Sequence, residues 1–168
     1  MHKYCLETSG ISNPLAAMPE DLYGSLWTKV AELIRAGVFC CNAEIAEQYG
    51  HVEGAVGDCL REHIPAMLYE VGHSHWNWRE YIDHFNRMKV TYNAFISEYN
   101  GNRKNTVDTD DVSIVALAKT LGLPVVSMEA FDRGEPSAKR MRIPRLCDCE
   151  KVLHLTFNEL LRIEGLRL

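Results

Sequence analysis

Three aspartates, Asp108, Asp110 and Asp111, crowd the start of an apolar helix in the stretch DTDDVSIVALAKTLGLPVVSME, and the short apolar strand that follows ends in Glu129. An acid at a helix N-terminus is favoured in any case, because it caps free backbone N–H groups and faces the positive end of the helix dipole. Capping does not call for three acids, and it does not explain Glu129. The other chemistry open to such a group is a set of hard oxygen donors for a divalent cation. Spacing alone leaves both readings open. Asp111 shares a helix face with Ile114, Val115 and Ala118, so it points toward the core and not outward.

The elements that must position these acids alternate between strand and helix. KYCLET reads as a first strand ending at Glu7, and GISNPLAAMPEDL, with its Gly, Asn and prolines, as a loop. In EDLYGSLWTKVAELIRAG, Leu22, Leu26, Val30, Leu33 and Ile34 recur at helical spacing, with Gly37 as the stop. VFCC is a second strand, and NAEIAEQYG a short helix with Asn42 as its N-cap. Two or more helices are expected within 52–68 and 75–99, followed by a loop at NGNRKN, residues 100–105. A helix over 109–121, the turn GLP and the strand VVSM come next. Residues 130–142, AFDRGEPSAKRMR, read as an exposed basic loop. The tail holds a turn or short helix at 144–149, a strand near 152–155 and a final helix over 157–163.

That alternation predicts an α/β fold, a three-layer α/β/α sandwich with a mainly parallel central sheet, built as one domain over residues 1–168. Ligands of such folds bind at the carboxyl ends of the strands. Glu7 and Glu129 each lie just past such an end, so both reach one crevice.

Bulk composition narrows the function classes. With 46% hydrophobic and 24% charged residues the chain has ordinary globular composition, far from the disordered range. No apolar run approaches the roughly 20 residues needed to span a bilayer, and the N-terminus lacks the layout of a signal peptide; a cytoplasmic protein with no membrane association is expected. The net charge of −5 argues against nonspecific coating of nucleic acid. Six cysteines include no C-x-x-C pair, and Cys5, Cys40 and Cys41 sit in apolar contexts that suit packed free thiols. No P-loop, G-x-G-x-x-G or G-x-S-x-G is present. The stretch GHSHWNWREY places His73, His75, Trp76 and Trp78 together, for base stacking or, more simply, for burial and an interface.

Four short motifs in order carry a resemblance. YCLETSGIS stands where the PIN domain, the fold of VapC-type toxin ribonucleases, has a strand, an acid and a small polar residue. AEQYG resembles that family's second-acid motif, and DVSIVALAKTLGLPVVSME its third and fourth. The tail KRMRIPRLCDCEKVLHLTFNELLRIEGLRL is similar to one PIN-like branch formerly of unknown function. The resemblance implies a catalytic carboxylate cluster of Glu7, Glu47, Asp111 and Glu129, with Asp108 as a further ligand, holding Mg²⁺ or Mn²⁺ for hydrolysis of RNA. It implies an RNA substrate met by Ser9, Arg133, Lys139, Arg140 and Arg142, an antitoxin protein partner and a homodimer. Two positions depart from the pattern: Glu7 stands for the usual Asp, and Ser9 for the usual Asn. They leave open a second reading, a catalytically degenerate PIN-like protein that binds RNA or a protein.

Overall fold

The computed structural model describes residues 1–102, 104, 106–129 and 140–166. Its sheet is built from four very short strands, β1 (Tyr4–Leu6), β2 (Phe39–Cys40), β3 (Val125–Val126) and β4 (His154–Leu155), in the order β2-β1-β3-β4. All three pairings are parallel, with Cys5 opposite both Cys40 and Val125, and Val125 opposite His154. Parallel strands covered on both faces need apolar residues throughout. Every residue of β1, β2 and β3 is accordingly buried, Cys5 and Cys40 completely. Cys41 is equally enclosed, so these thiols pack as small hydrophobes.

Among the described residues eight α-helices flank the sheet as the outer layers of an α/β/α sandwich: α1 (Ser9–Ala17), α2 (Gly24–Arg35), α3 (Ala43–Gln48), α4 (Gly54–Met67), α5 (Trp78–Thr91), α6 (Thr109–Leu121), α7 (Ile143–Glu150) and α8 (Phe157–Ile163). On one side α2 packs along α4 and α1 meets α8, with the Trp27 ring stacked on Phe157 at 5.6 Å. On the other, α6 packs against α5, α7 and α3. Seven successive residues of α6, Val112–Ala118, are buried, so this helix is covered all round. None of the helices among the described residues is long and apolar enough to cross a membrane.

Two sequence expectations need correction. The stretch read as a loop after β1 contains α1, which runs through Pro14. Its Gly10 explains the close seat: a Cβ there would lie 2.7 Å from the Val126 carbonyl oxygen. Leu22, counted with the apolar face of α2, precedes that helix and is 74% exposed. In the basic loop, residues 130–139 lie outside the described residues, while Met141 is buried and Arg142 half-buried. The helix over 109–121 and the final helix over 157–163 stand where the pattern put them.

Glu150, 4% exposed, ties one layer together. Its carboxylate accepts two bonds from Arg87, at 3.0 and 2.5 Å, and one from the Tyr92 hydroxyl at 2.6 Å, with Lys119 Nζ 3.1 Å away. Burial pushes this carboxyl up, but the bonds from Arg87, Tyr92 and Lys119 outweigh it and hold it at about 2, below the usual 4.5. A carboxyl lowered by folding stabilises above its unfolded value, and that contribution disappears as pH falls from 4.5 toward 2. Glu150→Gln should cost about 2–3 kcal/mol at pH 7. In denaturant melts the difference from wild type should shrink steadily below pH 4.5; equal midpoints at pH 7 would show that the cluster adds nothing.

Candidate functional site

The carboxyl ends of β1 and β3 and the N-terminus of α6 converge, and each delivers acids. Glu7 follows β1 directly and is only 6% exposed. Its Oε2 accepts the Ser9 backbone N–H at 2.9 Å and the Ser9 hydroxyl. Ser9 Oγ in turn accepts the Met128 N–H at 3.1 Å, so one serine clamps the ends of β1 and β3 together. Ser9 thus orients an acid.

At the start of α6, Asp108 and Asp111 form a reciprocal capping box. Asp111 N–H donates to Asp108 Oδ1 at 2.8 Å, and Asp108 N–H to Asp111 Oδ2 at 3.0 Å. The bland account of these acids is therefore correct as far as it goes. It leaves Glu129 unexplained, whose Oε2 accepts the Ile143 N–H at 2.7 Å from the first residue of α7. The segment carrying Glu129 is braced from below by fully buried Ser127, whose Oγ accepts the Glu129 N–H at 3.4 Å and lies 2.7 Å from His154 Nε2.

Burial and neighbouring charge shift three of these acids. Asp111 is pushed well up, first by burial and then by the charges of Asp108, Glu129 and Glu7, against the opposing bond from the Asp108 backbone. Burial raises Glu7 as well; its Ser9 bonds oppose this, and the charges of Glu129 and Asp108 add to it. Asp108 is raised by burial and by Asp110 and Glu98, against backbone bonds that favour its charge. Among the described residues, no group of three or more His, Cys, Asp or Glu side chains is placed to enclose a metal ion. The donor chemistry nevertheless suits one: all four groups are hard oxygens, and their mutual repulsion is what a divalent cation relieves.

Other expected residues lie elsewhere. Glu47 is exposed on α3, while its neighbour Gln48 turns inward, its Oε1 accepting from the Thr8 hydroxyl at 2.6 Å and its Nε2 donating to Asp110 Oδ2 at 2.9 Å. Thr8 and Gln48 are site residues that the sequence reading missed; the one signal for them was their adjacency to predicted acids. Arg140 is exposed, Arg142 precedes α7 as its N-cap, and Arg133 and Lys139 lie outside the described residues. Trp76 donates to the Glu70 carbonyl at 2.8 Å and packs edge-on to Tyr69, and Arg79 covers Trp78. Cys147, buried near Glu129, is pushed up to about 12, by burial first and by that charge second, so it stays a protonated thiol.

A carboxyl raised by folding works in the opposite sense to Glu150. Folding takes up protons between its unfolded and folded values, so stability is lost as pH rises from 3.8 through the folded value of Asp111. Asp111→Asn keeps an oxygen for the Asp108 N–H and removes one charge. Without divalent cation at pH 7, the variant should be more stable than wild type by about 1 kcal/mol, a rise in melting temperature of roughly 2–4 °C. That gain should vanish near pH 4. A lower melting temperature for the variant at pH 7 would mean that repulsion is not the dominant effect at Asp111.

No curated protein matches the chain. A family described as a domain of unknown function, DUF4411, matches residues 4–168. With nearly its whole length covered, the chain belongs to the DUF4411 family.

Proposed function

We propose that this protein is a metal-dependent endoribonuclease of PIN-like type, acting in the cytoplasm as the toxin of a toxin–antitoxin pair. The observation that carries the reading is the set of four carboxylates, Glu7, Asp108, Asp111 and Glu129, gathered where the carboxyl ends of β1 and β3 meet the N-terminus of α6, with the charge of Glu129 adding to burial in raising Glu7 and Asp111. They would hold Mg²⁺ or Mn²⁺, and when bound the ion activates water and offsets charge on the phosphodiester. The chain's own part is placement. Ser9 fixes Glu7, the capping box fixes Asp108 and Asp111, and the Ile143 N–H fixes Glu129. Exposed Arg140, close in sequence to Ile143, would meet RNA phosphate without reading sequence. An antitoxin protein and a homodimer complete the proposal.

A second reading has one observation in its favour. Glu7 and Ser9 stand where the resembling family has Asp and Asn, and a PIN-like protein without catalysis, binding RNA or a protein, accounts for the same fold.

Calorimetric titration with Mn²⁺ and Mg²⁺ separates the two without a known RNA. Wild type should bind, and Asp111→Asn should lose most of the affinity. Expression of wild type should then slow growth and degrade cellular RNA, and Asp111→Asn should do neither. No binding by wild type at millimolar cation, or equal toxicity of the variant, would sink the nuclease reading.

A further inference from the structure

Helix α3 reaches the acidic site through a residue that carries no charge. Gln48 ends α3, and its amide spans Thr8 and Asp110 through bonds of 2.6 and 2.9 Å. Thr8 follows Glu7 and Asp110 precedes Asp111. One side chain therefore connects the exit of β1 to the first turn of α6, the two places that supply the innermost acids. Its Nε2 end acts as a donor, which a carboxylate could not do toward Asp110.

The location of this amide is imposed by buried contacts on either side of it. Asn42 caps α3 by accepting the Ile45 N–H at 3.3 Å and donates to Ser113 Oγ of α6 at 2.7 Å. Ile45 is fully buried, and Tyr49, next after Gln48, donates its hydroxyl to the Leu6 carbonyl at 2.5 Å. With Ile45 and Tyr49 pinned inward, Glu47 must face solvent and Gln48 must face the acids.

We propose that Gln48 is a positioning residue of the carboxylate site, tying the segment after Glu7 to the first turn of α6 that carries Asp111, and that it occupies with a neutral amide a place from which α3 could contribute a carboxylate. The proposal rests on the cation-site reading above. It makes the site less negative than the backbone permits, hence a weaker cation binder that a single substitution strengthens.

Mn²⁺ titration calorimetry on the full chain, with melting temperatures in chelator and in Mn²⁺, tests this on wild type, Gln48→Glu, Gln48→Ala and Glu47→Gln. Gln48→Glu should bind Mn²⁺ roughly tenfold more tightly, because affinity follows the charge count of the ligands. It should melt lower than wild type in chelator, where a new carboxylate meets Asp110, and recover in Mn²⁺. Gln48→Ala should bind several-fold more weakly, and Glu47→Gln should match wild type. A folded Gln48→Glu that binds no more tightly than wild type, or a Glu47→Gln as weak as Gln48→Ala, overturns the role of Gln48 and leaves the cation site standing. Absence of binding in both wild type and Gln48→Glu removes the cation site itself, and this role with it.

Discussion

Enclosure of α6 is the constraint on which the rest depends. From Val112 to Ala118 this helix exposes nothing, because the sheet, α3, α5 and α7 surround it. A helix covered on every side cannot slide or rotate without opening cavities, and each methylene lost from contact is costly. Its one buried hydroxyl, Ser113, is satisfied by the Asp110 carbonyl and Asn42, which ties the start of α3 to α6. The first turn of α6 therefore has a fixed position, and the acids on it stay where the sheet ends.

Around that fixed turn the structure spends backbone groups on holding carboxylates. Three separate segments present an N–H to an acid: Ser9 to Glu7, Ile143 to Glu129, and the reciprocal cap of Asp108 and Asp111. Such bonds favour the charged form, yet burial and mutual repulsion prevail at Glu7, Asp108 and Asp111. Strong placement combined with uncompensated charge is the ground on which the proposed cation site rests. Glu150 marks the contrast. It is as deeply buried as Glu7, but Arg87, Tyr92 and Lys119 compensate it fully, and it joins helices without any call for a ligand.

The sequence by itself determined the alternation of strand and helix, the parallel sheet, and the convergence of Glu7, Asp111 and Glu129. Apolar runs and periodicity report burial, and burial on both faces leaves few alternatives to an α/β sandwich. Asn42 as a cap and α6 over Thr109–Leu121 were equally legible, since local hydrogen bonding decides them. Tertiary structure alone decided what local signals could not carry. Helix α1 forms despite its Pro and Asn, because Gly10 lets it seat against the Val126 carbonyl. Glu47 and Gln48 differ by one position, about 100° around a helix, and an Ala-Glu motif could not say which of them faces inward. Ile45 and Tyr49 settled it, through burial and a hydroxyl bond to the Leu6 carbonyl of β1. The roll of a six-residue helix is set by what it packs against, so the identity of the side chain entering the site was a property of the fold and not of the motif.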